Sequence, residues 1–125
     1  FFQAEDGIRD HRIMASEADF YIKEGDTSPE IQAQLLEDDG SPVDLTGSAV
    51  SFKMKEVGGD SLAVDASATI DNESEGRVSY SWSSGDTDAA GYFNAVFAVD
   101  YDSSGSDDET FPNSQYIVVR VDEGL

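Results

Sequence analysis

The sequence predicts an all-β fold: an antiparallel β-sandwich of about seven or eight strands, immunoglobulin-like in build. Three observations carry the prediction. In segment after segment, apolar residues recur at every second position, the period of a strand with one buried and one solvated face. Clusters of Gly, Pro, Asp and Asn separate these segments at regular spacing and supply the backbone angles that turns require. No segment shows a convincing helical period. A chain of 125 residues, 38% hydrophobic, is the size of one domain and buries a modest core.

The elements follow in order. Phe20-Tyr21-Ile22-Lys23 reads as a short first strand, and Gly25-Asp26-Thr27-Ser28-Pro29 as the turn after it. Ile31, Ala33 and Leu35 alternate with Gln32, Gln34 and Leu36 in a second strand, which turns at Asp38-Asp39-Gly40. Leu45 is a lone apolar residue between turns, placed to plug one end of the sandwich. Residues 48–55 form the third strand: Val50, Phe52 and Met54 face one way, Ser51, Lys53 and Lys55 the other. Gly58-Gly59-Asp60 ends it. Residues 62–70 read as one further strand, with Ala66, Ala68 and Ile70 on a shared face. After the turn at 72–76, Val78, Tyr80 and Trp82 line one face of a strand and Ser79 and Ser81 the other. Residues 83–91 are a loop, with room for one helical turn at 86–91. Residues 92–99 are almost continuously apolar, as expected of a strand covered on both faces. A polar loop, 101–109, leads to a last strand over 116–121 with Ile117, Val119 and Val121 aligned. Gly47 and Gly91 stand where strands begin after loops, positions suited to a positive φ.

Charge is the outlying property. Asp and Glu number 27 against 7 Lys and Arg, a formal net charge of −20. Such an excess disfavours nucleic acid and anionic membrane as partners, since both are polyanions. Seven Phe, five Tyr and one Trp in alternating segments argue for an ordered domain with an acidic surface rather than a disordered chain. An acidic surface of this kind suits life in molar salt, where screening removes most self-repulsion. There is no cysteine, so disulfides, thiolate catalysis and cysteine-bound zinc are excluded. No stretch approaches the ~20 apolar residues of a membrane span, and no apolar run follows the first basic residues as in a secretory leader.

The first residues differ in character from the rest. Gln3 to Asp10 resembles the translation of a common sequencing-adapter oligonucleotide, and Met14-Ala15-Ser16 is an ordinary start. The domain reading is therefore an N-terminal arm or sequence artefact over 1–18 and a β-sandwich over 19–125.

Few residues suggest chemistry. Asp100-Tyr101-Asp102-Ser103-Ser104-Gly105 fits the first half of a calcium loop, so Asp100, Asp102, Ser104, Asp107 and Asp108 are the metal candidates. The second half fails: Phe111 stands where a bidentate Glu belongs, and a solvated loop between strands explains the same residues. Asp86 and Asp88 read as turn caps. Carboxylate pairs for glycoside hydrolysis arise by chance in so acidic a chain. His11 is the only histidine, which removes histidine triads and histidine-rich metal sites. Neither Ser84-Gly85 nor Gly58-Gly59 is followed by the Lys of a phosphate loop. Trp82 on an alternating strand reads as core rather than as a sugar-stacking platform. No catalytic residue and no cofactor is expected.

From Asp19 to Asp122 the chain resembles the N-terminal domain family of siphophage upper baseplate proteins. The likeness runs in order through Ile22-Lys23-Glu24-Gly25-Asp26-Thr27, then Asp39 to Phe52 (DGSPVDLTGSAVSF), then Gly76-Arg77-Val78-Ser79-Tyr80-Ser81-Trp82. It continues through Asp86 to Phe97 (DTDAAGYFNAVF) and ends at Thr110-Phe111-Pro112. Each stretch alone is turn-and-strand grammar; five in order are far more specific. The resemblance implies a non-enzymatic structural protein of a tailed virus, in the baseplate, tail or virion surface, assembled in the host cytoplasm. It implies docking to other virion proteins, with homo-oligomers expected. The acidic surface would suit a virus of a halophilic archaeon. The alternative is a secreted or cell-surface β-sandwich that binds glycan or calcium through the 100–109 loop and exposed aromatics.

Overall fold

A computed structural model of the chain describes residues 2–4, 18–113 and 115–124. It is a two-sheet sandwich. The elements are β1 (Phe2–Ala4), β2 (Phe20–Lys23), β3 (Ile31–Leu35), β4 (Ala49–Glu56), β5 (Leu62–Ser67), β6 (Thr69–Asn72), β7 (Arg77–Tyr80), β8 (Gly91–Asp100), β9 (Glu109–Phe111) and β10 (Ile117–Asp122). One sheet has the order β1-β3-β7-β6. The other runs β2-β10-β8-β4-β5, with β9 pairing the far half of β8 beyond the end of β10. Every interior pairing is antiparallel. The two parallel pairings, β1 on β3 and β2 on β10, lie at sheet edges.

The alternation read from the sequence is the burial pattern of the strands. In β4, Val50, Phe52 and Met54 are buried while Ser51 and Lys53 are half-buried on the other face. In β10, Ile117, Val119 and Val121 point inward, and in β3 Ile31, Ala33 and Leu35 do. These residues join Val78, Tyr80, Phe93, Ala95 and Phe97 in one core between the sheets. Phe52 of the large sheet stacks on Tyr80 of the small one, with ring centroids 4.7 Å apart. Trp82 is buried beside them and its Nε1–H donates to the Pro29 carbonyl at 3.1 Å. Leu45 is fully buried, as its place between turns predicts, and Gly47 and Gly91 take φ of 77° and 145°.

Several expectations need correction. Residues 62–70 are two strands: β5 belongs to the large sheet and β6 to the small one, and Ala68 between them bonds back to Val50 O. The shared face survives because Ala66, Ala68 and Ile70 all pack against the core across that corner. Leu36 is buried rather than solvated, since the chain bridges back through Leu36 and Pro42 and folds over it. Ser79 is also buried, between Gln32 and Thr69 on its two neighbouring strands. Strand β8 is covered on both faces only over Phe97–Asp100; its first half alternates. Residues 86–91 form no helix. Turns close with Asp86 N on Ser83 O and Asp88 N on Gly85 O. Two strands were not foreseen. The short β9 ends the polar loop at Glu109, and β1 falls within the expected arm, of which residues 1 and 5–17 lie outside the described residues.

Two loops are fastened by buried polar groups. The Thr87 hydroxyl donates to Asp26 O at 2.8 Å, and Gly25 N donates to Thr87 O at 3.0 Å. A buried hydroxyl without a partner is costly, so these bonds tie the 83–90 loop to the turn after β2.

Candidate functional site

The acidic loop between β8 and β9 is the first candidate. The structure brings Asp100, Asp102 and Asp108 together, with one carboxylate oxygen of each within 4.8 Å of the others. Backbone N–H groups already engage those carboxylates. Asp100, at the buried end of β8, accepts from Ser104 N at 3.1 Å and Gly105 N at 2.6 Å. Asp102 accepts from Ser104 N at 3.1 Å, and Asp108 from Tyr101 N at 2.9 Å. Ser104 thus contributes its backbone nitrogen. Asp107 is turned towards Lys53, 3.4 Å away. The loop holds Ser103 at φ 55° and Gly105 at φ 101°, and the Ser103 hydroxyl donates to Gly47 O at 2.9 Å. Carboxylates in short polar loops cap backbone donors in this way.

Burial works to raise the Asp100 carboxyl pKa, but the Gly105 and Ser104 N–H groups outweigh it and hold it below the usual 3.8. A depressed folded value stabilises the fold above the unfolded value, and that stabilisation is lost as pH falls through the folded value. Asp100→Asn is therefore expected to melt below the wild type at neutral pH. The gap should close as pH drops below the ordinary carboxyl range. A melting series from pH 7 to pH 2.5 checks this, and a gap that stays constant throughout would refute the role of the charge.

A second cluster lies at the end of β7. Asp86 accepts from Ser83 N at 2.8 Å and from the Tyr80 hydroxyl. Burial and the Asp86 carboxylate together push the Tyr80 phenol up to about 12. Burial and Glu109 likewise raise the Tyr101 phenol, which donates to Glu109 at 2.6 Å. Both phenols are fixed as neutral donors within the fold, and Asp86 is the turn cap that its position predicts. Trp82 is only 5% exposed, so it offers no stacking platform.

The outward face of the large sheet is the third candidate, and sequence reasoning missed it. Cross-strand partners share a face, and the register places Asp65, Lys53 and Val96 in one row. Leu62, Lys55, Asn94 and Val118 form the next row, and Tyr92, Arg120 and Tyr21 a third. Lys23 and Asp122 pair beyond them. The exposed large apolar side chains among the described residues are Tyr21, Val57, Leu62 and Tyr116. Tyr21 and Leu62 sit in these rows, Val57 directly follows β4 and Tyr116 directly precedes β10. A hollow of about 390 Å³ opens there between Lys53, Lys55, Leu62, Val96 and Tyr116. Burial works against the Lys53 charge, but Asp65 and Asp107 outweigh it and raise its pKa. The available signal was the off-core set of each alternating strand, which holds Tyr21, Lys53, Lys55, Val96, Val118 and Arg120.

Comparison with known proteins gives two findings. The family described as the BppU N-terminal domain matches residues 8–121. The chain is similar in structure to the N-terminal domain of phage TP901-1 ORF48, with a TM-score of 0.69 at 15% sequence identity. That likeness covers 97% of this chain and 96% of the other, and at such identity it is a likeness of fold. No curated protein matches the chain.

Proposed function

Since the chain belongs to the family of BppU (baseplate upper protein) N-terminal domains, we propose that it is a non-enzymatic structural component of a tailed virus, docking through protein–protein contacts. The observation that carries this reading is the family match over residues 8–121. Its partners are other virion proteins and further copies of itself, and its place is the assembled particle. A domain-specific antibody applied to particles made from the encoding genome tests the proposal. Labelling confined to the tail or baseplate supports it; particles that lack the chain altogether would end it.

The acidic surface supports a brine-adapted origin, in a virus of a halophilic archaeon. Some two dozen carboxylates on a small sandwich repel one another and destabilise the compact state. The screening length is ~8 Å at ~0.15 M salt, comparable to the spacing of surface charges, and ~3 Å at ~1 M. The melting temperature is therefore expected to rise from dilute buffer to molar KCl. A midpoint that is flat or falling with salt would exclude brine adaptation and leave the virion reading intact.

Calcium binding is the competing reading, favoured by the convergence of Asp100, Asp102 and Asp108. Calcium takes six to eight oxygens, whereas these carboxylates already cap Ser104, Gly105 and Tyr101. Titration calorimetry with millimolar calcium is expected to show no saturable heat. A saturable signal that disappears in Asp102→Ala would instead establish the site.

A further inference from the structure

We propose that the hollow on the outward face of the large sheet is a binding site for an acidic saccharide, a sugar ring that carries a carboxylate. The site goes beyond the virion assignment and does not depend on it.

Charge is the first reason. The chain holds 27 Asp and Glu against 7 Lys and Arg. Yet the hollow of about 390 Å³ is lined by two lysines, Lys53 and Lys55, and by no carboxylate. The hollow of about 280 Å³ beside β2 shows the contrast: there Lys23 shares the wall with Asp26 and Asp122. Lys53 and Lys55 lie on one face of β4, ~7 Å apart by strand geometry. Lys53 is held by Asp65 at 3.2 Å and Asp107 at 3.4 Å, and neither carboxylate belongs to the lining. Lys55 is exposed and makes no ion pair among the described residues. One uncommitted ammonium, with a second fixed beside it, matches a single carboxylate. Salt screens the more distant acids, with a screening length of ~8 Å at ~0.15 M, so the lining decides which ligand is attracted.

The rest of the wall selects a sugar over a bare anion or a peptide. Leu62 and Tyr116 are 46% and 57% exposed, and Val96 is half-buried. Pockets for small ligands combine an apolar wall of this kind with a few polar groups that fix orientation. The C–H face of a sugar ring packs on such apolar and aromatic surface. Asn94, cross-strand from Lys55, has a half-buried side-chain amide with no hydrogen-bond partner among the described residues. An amide both donates and accepts, as a ring of hydroxyls requires. An extended peptide, by contrast, pairs with free main-chain groups at a sheet edge. Strands β4 and β8 have a neighbour on either side, so their main chain is already committed. Recognition falls to side chains, which suits a saccharide. The volume lies at the small end of the ~300–1,000 Å³ range of ligand pockets and has room for a monosaccharide or a disaccharide.

Magnetic resonance titration of the isotope-labelled full chain in ~0.5 M KCl, where charge repulsion within the fold is screened, reads the site. The probes are the methyl glycosides of glucuronate, galacturonate and sialate. At least one is expected to give saturable shifts of the Lys55, Asn94 and Val96 amides, with Kd on the order of 1 mM. The neutral methyl glucoside and methyl galactoside should bind at least about threefold more weakly. Lys55→Gln and Tyr116→Ala, both at exposed positions, should each weaken binding about threefold or more with the circular dichroism unchanged. Lys23→Gln, at the other hollow, should leave binding as it is. Absence of saturable shifts with all three acidic glycosides would overturn the proposal. So would binding indifferent to both Lys55→Gln and Tyr116→Ala, neutral glycosides that bind equally well, or propionate that binds as tightly as the sugars. An acetylated glutamyl-leucine peptide that outcompetes the glycosides would assign the hollow to a peptide instead. Particle labelling reports on the virion assignment separately, so either idea can fail alone.

Discussion

Phe52→Ala is expected to cost about 3–5 kcal/mol and leave little of the domain folded in dilute buffer. Phe52 is fully buried at the centre of the core. Its ring stacks on Tyr80 at 4.7 Å, meets Trp82 edge-on at 5.6 Å and Phe97 at 5.2 Å. Truncation removes the transfer energy of the ring, leaves a cavity between two sheets that cannot collapse independently, and deletes three aromatic contacts worth about 0.5–1.5 kcal/mol each beyond area. Small domains hold only about 5–15 kcal/mol in total. Phe52→Leu keeps most of the volume and should lose well under half as much. Trp82, the single tryptophan, reports the transition by fluorescence under urea. An alanine variant within about 1 kcal/mol of wild type would show that the sheets do not meet at this ring.

Gly76→Ala is expected to be nearly as damaging, for a backbone reason. Gly76 has φ of 68° in the turn before β7, and its carbonyl accepts from Leu35 N at 2.8 Å. A Cβ there would stand 2.6 Å from Leu35 O and 2.9 Å from Val43 O. Both neighbours are main chain and are themselves bonded, Val43 N donating to Leu35 O at 2.9 Å. Relief therefore requires β3 and the segment carrying Val43 to separate. The left-handed conformation alone costs an alanine about 1–2 kcal/mol; the clash should bring the loss to about 3 kcal/mol or more. Gly40→Ala separates the two contributions. Gly40 has φ of 89° but nothing within 4 Å of an added Cβ, so only the conformational cost applies. Equal urea midpoints for the two variants would contradict the close packing at Gly76.

What the sequence determined by itself is local. Period-2 alternation named the inward sets of β4 and β10, Val50-Phe52-Met54 and Ile117-Val119-Val121, because side-chain direction in a strand depends only on position parity. Turn chemistry placed Gly47 and Gly91, and an apolar residue stranded between turns identified Leu45 as buried. The ordered motifs carried the family, and the same parity left Lys53 and Lys55 on the outer face. What required the tertiary structure is non-local. Residues 62–70 alternate without interruption, so nothing local marks Ala68 as the corner where the chain leaves one sheet for the other; the pairing partners decide it. Leu36 and Ser79 are buried by segments distant in sequence. The close approach at Gly76 depends on Leu35 and Val43 meeting there. Asp100, Asp102 and Asp108 read as free loop acids, yet the folded loop spends them on its own N–H groups. The outward face, finally, exists only once register sets β2, β10, β8, β4 and β5 side by side. Parity tells which way each residue points, and only pairing tells what lies beside it.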